Sequence, residues 1–240
     1  MPASDDDDDV TAEELVARAL REITPSRFFC GARAIGESPI HPGEKALYTG
    51  VDPPVRRATS TGRLLAREVL RNMGVKPAPI LRGEGGAPLW PTGFSGSIAH
   101  DDEFAVCVIG SGPDCYVGVD VEPASPLPEE VLDNVLVTAA ERAVWALDLV
   151  AARLIFCAKE AVYKTCYPVE HRFYEFDEIR WIPDPAAPPP LAAGTAGAAT
   201  GPVELVFGTS SGRHVTVVAV REPRLLAVAT ATWLEGLYTR

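Results

Sequence analysis

Two carboxylates two positions apart, Asp120 and Glu122, have a spacing that could support chemistry. They lie in the segment VGVDVE at 117–122, whose alternation predicts a β-strand. Side chains alternate between the faces of a strand, so the valines would enter a core while both acids, beside the small Gly118, project from the other face. Two close carboxylates repel each other unless a cation or a shared proton lies between them. The pair therefore indicates either a site for a hard divalent cation or a strand end with two solvated acids.

Glu160 and Lys164 form a second candidate pair, in the segment FCAKEAVYK at 156–164. The apolar spacing predicts a helix, on which residues four apart share a face. Such a pair is either a surface ion pair, worth about 0.3–0.5 kcal/mol, or a functional acid and cation. Lys159 and Lys164 are two of the four lysines in the chain, and the helix around them is almost uncharged. This keeps the functional interpretation open.

His100 and a basic segment are further candidates for ligand binding. His100 follows the segment GSIA at 96–99, which predicts a short strand, and ligand-contacting groups collect at such strand ends. Between residues 56 and 82, seven positive side chains stand against one acid, Glu68. In an acidic protein this indicates a small polyanionic ligand or, alternatively, a solvated arginine-rich helix face. The seven are Arg56, Arg57, Arg63, Arg67, Arg71, Lys76 and Arg82.

The elements that must position these side chains follow from the hydrophobic pattern. Helices are predicted at Val10–Ile23, Thr59–Met73, Thr138–Leu147 and Asp148–Tyr167, the last ending at Pro168. Strands are predicted at Phe28–Gly36, Ser97–Ala99, Phe104–Ile109, Tyr116–Glu122, Val203–Phe207, His214–Val220 and Leu226–Trp233. Three segments rich in glycine or proline are expected to be irregular: Arg82–Gly93, the linker Pro123–Pro128 and a flexible loop at Pro183–Pro202.

The order of these elements predicts an α+β fold in which each half has helices and a small sheet. We expect an acidic, disordered tail at residues 1–9, an N-terminal α+β subdomain at 10–122 and a C-terminal α+β subdomain at 123–240. The chain contains neither a GxGxxG motif nor a P-loop. This argues against the Rossmann and Walker classes of nucleotide-binding protein.

Composition narrows the function classes. The net charge of −11 over 240 residues argues against a general nucleic-acid binder. No apolar run reaches the ~20 residues that span a bilayer, and the first residues are acidic where a signal peptide would be basic. The five cysteines are odd in number and lack CxxC spacing, which is typical of reduced thiols. We therefore expect a soluble, cytoplasmic protein without nucleic-acid or membrane partners.

Five short segments, in this order, resemble motifs of the 4′-phosphopantetheinyl transferases, in the two-subdomain type known from Sfp and the enterobactin enzymes. The segments are PLWP and GSIAH within 88–100, VGVDVE at 117–122, AER at 140–142 and FCAKEAVYK at 156–164. The part that carries the motifs runs from about residue 56 to 176, which is half of the chain. The rest matches only in layout.

The resemblance implies a pseudo-dimer of two similar α+β subdomains, with the active site and coenzyme A in the cleft between them, and hence a monomer. It also implies an enzyme that moves the 4′-phosphopantetheine arm of coenzyme A to a serine of an apo acyl or peptidyl carrier protein. The other product would be 3′,5′-ADP. The choice among carriers of fatty-acid, polyketide, peptide or siderophore synthesis stays open.

The resemblance further implies roles for the candidate residues. Mg²⁺, with Mn²⁺ as a possible substitute, would be held by Asp120, Glu122 and Glu160. Glu160 would also be the general base for the carrier serine, directly or through a water. Lys164 would bind the α-phosphate and protonate or stabilise the leaving 3′,5′-ADP. The cations expected to contact the phosphates of coenzyme A are Arg56 or Arg57, Arg63, Arg82, His100 and Lys164.

Two features depart from the family pattern. The spacing that leads to Arg63 is about one residue short, which leaves open whether Arg56 or Arg57 faces the ligand. The turn that follows His100 is acidic at residues 101–102, beside a site for phosphates.

Two other functions are compatible with the same residues. One is a non-catalytic module of this fold that binds coenzyme A or a carrier protein. The other is a Mg²⁺-dependent phosphodiester hydrolase, which would release phosphopantetheine with no acceptor present.

Overall fold

The computed structural model describes residues 10–112, 115–146, 148–186 and 201–231. Four predicted segments fall wholly or partly outside these ranges. They are the acidic tail at 1–9, the last residue of the helix predicted to end at residue 147, most of the loop at 183–202, and the end of the last strand beyond residue 231.

The described residues form helices and strands in both halves of the chain, as an α+β fold requires. The α-helices are Ala12–Ile23 (α1), Pro53–Asn72 (α2), Glu129–Val135 (α3), Ala139–Trp145 (α4) and Leu149–Glu170 (α5). The strands are Phe29–Ala34 (β1), Leu81–Arg82 (β2), Pro88–Leu89 (β3), Phe94–His100 (β4), Phe104–Ser111 (β5), Tyr116–Glu122 (β6), Ile179–Trp181 (β7), Val203–Thr209 (β8), His214–Val220 (β9) and Leu225–Ala231 (β10). Short 3-10 turns lie at Pro42–Tyr48, Glu84–Gly86 and Phe176–Glu178.

Two antiparallel sheets, each covered by one long helix, make up the two halves. The smaller sheet has the strand order β1-β5-β4 and the larger has the order β6-β10-β9-β8-β7. Helix α2 packs on the smaller sheet through Leu65 and Val69, and α5 packs on the larger one through residues such as Leu154 and Ala161. The confirmed α+β fold is therefore two sheet-and-helix halves.

A shared apolar core joins the halves. The valines of β6 at 117, 119 and 121 enter it together with Val106 and Val108 of β5, and α1 adds Val16 and Leu20. The predicted alternation of β6 is confirmed, because its three valines face this core while Asp120 and Glu122 face α5.

Helix starts follow the capping chemistry of the sequence. The helix predicted from Thr138 begins in α4 with a capping box of Thr138 and Glu141, and Thr11 with Glu14 forms an equivalent box at α1. The predicted start of α2 at Thr59 is wrong, since this helix begins at Pro53. Proline suits the first helical positions because their N–H groups need no partner within the helix.

Two further predictions about regular structure are corrected. Helix α5 does not end at Pro168 but continues to Glu170, because a proline in the last turn removes few helical hydrogen bonds. His171 then closes the helix with a left-handed backbone, φ 48°. The segment 82–93 is not wholly irregular, since β2 and β3 pair as a hairpin across the glycines.

β6 is the last element of the N-terminal subdomain that we predict at residues 10–122, but its strand pairing joins it to the other half. β6 belongs to the larger sheet, where it pairs with β10, a strand about a hundred residues later in the chain. Its valines still pack on the smaller sheet, so β6 is the element that both halves share. Hydrophobic alternation shows which face of a strand is buried, but not which strand it will pair with.

Candidate active site at the cleft between the two halves

A close approach of β6 and α5 brings the predicted acids and the lysine together. Gly118 lies against the backbone of α5, where a Cβ atom would overlap the carbonyl oxygen of Ala161 and the side chain of Thr165. Gly118 shares the strand face of the two acids, and the space over it is filled by α5. The consequence is that side chains on this face of α5 reach Asp120.

Lys164 makes the shortest contact of the site. Its Nζ atom lies 2.6 Å from Oδ1 of Asp120 and donates a second, longer hydrogen bond to the carbonyl of Val119 at 3.5 Å. Burial favours the neutral amine, but the Asp120 carboxylate, with Glu160 adding to it, outweighs burial and raises the pKa of Lys164. Lys164 is therefore a charged donor at neutral pH.

Asp120 is only half satisfied. Its side chain is 8% exposed, and Oδ2 is buried without a hydrogen-bond partner among the described residues. A buried carboxylate oxygen without a donor is costly, so this oxygen is suited to accept a further cation or donor.

Glu122 lies beside it, partly buried, and its Oε2 atom accepts from Nη1 of Arg153 at 3.2 Å. Burial, and next the charge of Asp120, raise the pKa of Glu122 to about 7, while Arg153 opposes this rise. Arg153 escaped the sequence analysis, although it lies seven residues before Glu160 and so shares its helix face.

Glu160 completes the predicted set of acids. It is partly buried, and burial raises the pKa of its carboxyl group, Lys164 lowers it, and Asp120 raises it further. The charge of Asp120 thus acts on both other acids. As they stand, no three acidic, histidine or cysteine side chains in the described ranges form a ready metal cage. Asp120 and Glu122 are instead paired with Lys164 and Arg153.

An apolar cleft of about 500 Å³ opens in front of Lys164, between the two halves. One wall is α5 with Tyr163, Lys164 and Tyr167, and the other is β4 with the β2–β3 hairpin. Gly85 lies so close to the Tyr167 hydroxyl that a Cβ atom would clash with it, and its φ of 62° also favours glycine. The hairpin therefore closes one end of this cleft against α5.

A second pocket, of about 290 Å³, holds three of the predicted phosphate contacts. It is lined by Arg63, Arg82 and His100, and it adjoins the cleft because both share Gly86 and Pro88. The Nε atom of Arg63 donates to the carbonyl of Ile80 at 3.0 Å, which fixes the guanidinium at the pocket wall.

The two arginines that the sequence could not separate lie in the first turns of α2. Both form long ion pairs with the exposed Glu37, at 3.9 Å for Arg56 and 3.8 Å for Arg57. Only Arg57 of the two lines a third pocket, of about 270 Å³, in which His100 also takes part. Arg57 is thus the better placed of the two to face a ligand at His100.

Two buried ion pairs lie outside the predicted set of site residues and stabilise the fold. Lys159 is fully buried, with Nζ 3.1 Å from Oε1 of Glu141 and hydrogen bonds to two carbonyls, so it is structural rather than the functional cation of α5. Arg67 similarly binds Glu44, and Glu44 also accepts from the amide of Ile80, the residue whose carbonyl accepts from Arg63. The sequence showed these residues but not their partners.

Two protein-family models match consecutive segments of the chain. The model for the 4′-phosphopantetheinyl transferase N-terminal domain matches residues 48–110, and the model for the 4′-phosphopantetheinyl transferase superfamily matches residues 116–221. Together they account for more than half of the chain. The chain belongs to the 4′-phosphopantetheinyl transferase superfamily. The superfamily match begins with β6, as does the larger sheet.

Several curated proteins are similar to this member of the superfamily. Identity is 42% over 148 residues to 4′-phosphopantetheinyl transferase PptT of Mycobacterium tuberculosis, covering 60% of this chain and 64% of that protein. It is 38% over 141 residues to Npt of Nocardia iowensis, covering 58% and 64%. It is 35% over 156 residues to Svp of Streptomyces mobaraensis, covering 62% and 63%. The matched stretch thus spans a little less than two thirds of each relative's length.

Within the described residues, no helix combines the length and the apolar character needed to cross a membrane.

Proposed function

We propose that this protein transfers the 4′-phosphopantetheine arm of coenzyme A to a serine hydroxyl of an apo carrier protein and releases 3′,5′-ADP. The observation that carries the proposal is the contact of Lys164, which lines the cleft, with Asp120, together with the electrostatic coupling of both to Glu160, beside a pocket lined by Arg63, Arg82 and His100. This is the arrangement that a phosphoryl transfer between a bound diphosphate and an incoming hydroxyl requires. The names of the similar proteins support the same reaction.

The acids Asp120, Glu122 and Glu160 fit a Mg²⁺ ion, with Mn²⁺ as a possible substitute. The donor set is all carboxylate oxygen, one buried oxygen of Asp120 lacks a partner among the described residues, and the charge of Asp120 contributes to the raised pKa of both other acids. When bound, such an ion supplies positive charge that neutralises a diphosphate. Lys164 occupies Oδ1 of Asp120, so the unpartnered Oδ2 atom is the one that would hold the ion.

Glu160 is the proposed proton acceptor for the carrier serine. Burial is the main cause of its raised pKa, and a raised pKa makes a carboxylate a better base. The serine oxygen forms a bond to the phosphorus that carries pantetheine, and the bond from that phosphorus to the bridging oxygen breaks. The serine proton passes to Glu160, directly or through one water.

Lys164 is the proposed hydrogen-bond donor to the leaving group. Its ammonium group borders the cleft and stays charged at neutral pH. It would bind the α-phosphate, and it would stabilise or protonate the bridging oxygen that leaves with 3′,5′-ADP.

The remaining phosphates of coenzyme A are assigned to the 290 Å³ pocket. Arg63, Arg82 and His100 line it, and Arg57, rather than Arg56, reaches the neighbouring pocket that includes His100. Guanidinium groups match phosphate geometry with two parallel hydrogen bonds. The larger apolar cleft is left for the pantetheine arm and the carrier serine.

The cellular setting belongs to the same proposal. All five cysteines are free thiols, which supports a reducing, cytoplasmic location. Partners would be coenzyme A and an acyl or peptidyl carrier protein. A monomer is proposed because one chain supplies both walls of the cleft.

The test is incubation of the purified protein with coenzyme A, Mg²⁺ and a panel of apo carrier proteins from its own genome, followed by intact-mass measurement. We expect one carrier to gain one phosphopantetheine group, with 3′,5′-ADP formed in equal amount. Asp120→Asn and Glu160→Gln should abolish the gain, whereas Asp133→Asn, an exposed acid of α3, should not.

Other results would support a different function. Binding of coenzyme A without transfer to any carrier would indicate the non-catalytic module. Release of phosphopantetheine without an acceptor, at the rate expected for transfer, would indicate the hydrolase. Full transfer by Asp120→Asn would remove this acid from the reaction.

A further inference from the structure

The turn between β4 and β5 places three consecutive acids, Asp101, Asp102 and Glu103, directly after His100. Asp101 builds the turn from inside, since its Oδ1 atom accepts from the amides of Glu103 at 2.8 Å and Phe104 at 2.7 Å. Its side chain is only 4% exposed. Asp101 is therefore a fixed negative charge one residue from a proposed phosphate contact.

The charge of Asp101 reaches the proposed site from two directions. Burial and the Lys164 ammonium lower the pKa of His100, and the carboxylates of Asp120 and Asp101 oppose that shift. Asp101 also lines the 270 Å³ pocket that includes Arg57 and His100. An anionic ligand at His100 would meet the same charge as repulsion.

Arg224 meets this turn from the other half of the molecule. Its Nη1 atom lies 3.5 Å from Oδ2 of Asp101, its Nη2 atom contacts a carboxylate oxygen of Glu103, and its guanidinium stands over the Phe104 ring, 5.1 Å from the centroid. The arginine side chain is 11% exposed. A partly buried guanidinium that contacts two acids and an aromatic ring is fixed in position and is not available to bind the phosphates itself.

The position of Arg224 along the chain ties it to the proposed metal strand as well. The next residue, Leu225, begins β10 and pairs directly with Glu122 at the end of β6. Arg224 thus lies where β6, β10 and the acidic turn meet, which is a junction between the two halves.

We propose that Arg224 is a positioning residue for coenzyme A binding, which neutralises the acidic turn and holds it across the two halves so that His100 can face phosphates. Arg224 pairs with Asp101 and Glu103, and of these two Asp101 lines the pocket shared with Arg57, together with Asp102, which is not paired with Arg224. The proposal rests on the proposed function, because it takes the anionic ligand to be coenzyme A. It explains why an acidic turn is tolerated beside a phosphate pocket.

The test is the dissociation constant of coenzyme A with Mg²⁺, by calorimetry, together with KM and kcat in the transfer assay. Arg224→Gln should weaken coenzyme A binding and raise its KM roughly tenfold at low salt, with kcat changed far less, because an unpaired negative charge then faces the ligand. The effect should shrink at about 0.5 M salt. Arg224→Lys should stay near the wild type.

Asp101→Asn separates the electrostatic role from a structural one. Asparagine can still accept from both turn amides, so Asp101→Asn should bind coenzyme A about twofold to fivefold more tightly than the wild type. The double variant Asp101→Asn with Arg224→Gln should return close to the wild-type value. Arg221→Gln is the matched control, since Arg221 lies in the same β9–β10 loop but pairs with Asp148 at 3.1 Å.

The inference is overturned if Arg224→Gln leaves coenzyme A affinity unchanged, or if Asp101→Asn weakens binding and fails to rescue Arg224→Gln. Should Arg224→Gln not fold, Asp101→Asn and Arg224→Lys still decide, because both leave the packing of the turn in place. If the wild type itself neither binds coenzyme A nor transfers its arm, the proposed function fails rather than the role of Arg224.

Discussion

At the scale of single residues, Asp120 is neutralised by the protein itself. The Lys164 ammonium lies 2.6 Å from Oδ1, in the place that the sequence analysis gave to a divalent cation. The spacing of Glu160 and Lys164 predicted their shared helix face. It could not show that Lys164 reaches Asp120, because that contact joins residues 44 positions apart and depends on packing at Gly118.

Removing the ammonium should therefore strengthen metal binding while it weakens transfer. In Lys164→Met, Asp120 loses its internal cation, and we expect Mg²⁺ to bind roughly tenfold more tightly in calorimetry without coenzyme A. Transfer should fall by about 100-fold or more. Lys76→Met, at an exposed lysine after α2, is the control. Weaker Mg²⁺ binding in Lys164→Met would show that the lysine supports the cation rather than competing with it.

At the scale of elements, the contact between β6 and α5 assembles the acids, and Gly118 sets its distance. The sequence predicted both elements closely. It misjudged element ends where proline was involved, because Pro53 starts α2 and Pro168 does not stop α5. Whether a proline starts, ends or merely lies in a helix depends on which N–H groups need partners there, and neighbouring residues alone do not decide that.

Gly118→Ala tests this contact. The new methyl group would overlap the backbone of α5, so we expect a loss of about 3 kcal/mol in the free energy of unfolding, measured by urea titration. The transfer rate should also fall, and by more than the loss of folded protein accounts for, since α5 carries Glu160 and Lys164. Gly36→Ala is the control, because a Cβ atom at Gly36 meets nothing within 4 Å. Equal stability of both variants would rule out a tight β6–α5 contact.

The end of α5 is fixed by a charge network that predicts a pH dependence. Burial alone would raise the pKa of Glu170, but hydrogen bonds from Tyr174, Arg213 and Ser211 lower it below its ordinary 4.5. A lowered pKa contributes stability that is present above about pH 4.5 and is lost as the pH falls through the folded-state pKa.

Glu170→Gln should therefore remove part of the acid sensitivity of the protein. The difference in unfolding free energy between the wild type and Glu170→Gln should shrink as the pH is lowered from 6 to 3 in urea titrations. Glu204→Gln, at an exposed acid of β8, should show no such trend. A difference that stays constant with pH would remove Glu170 from the linkage.

At the scale of the whole molecule, the two halves and their α+β character were predictable from element order, but the way they join was not. β6 follows β5 closely in sequence and yet pairs with β10. In this position the Asp120 face of β6 contacts α5, while its valine face packs against the smaller sheet. Likewise, Arg224 and Asp101 come from different halves. Contacts between distant segments leave little trace in local spacing, so they required the structure.

The central claim is that one divalent cation and one diphosphate meet at the junction of the halves. Crystals grown with coenzyme A and Mn²⁺ test it most directly, because anomalous scattering locates the metal. We expect one Mn²⁺ peak beside Asp120, Glu122 and Glu160, with the diphosphate reaching Lys164 and His100. A peak elsewhere, or coenzyme A bound away from the cleft lined by α5 and β4, would contradict the account.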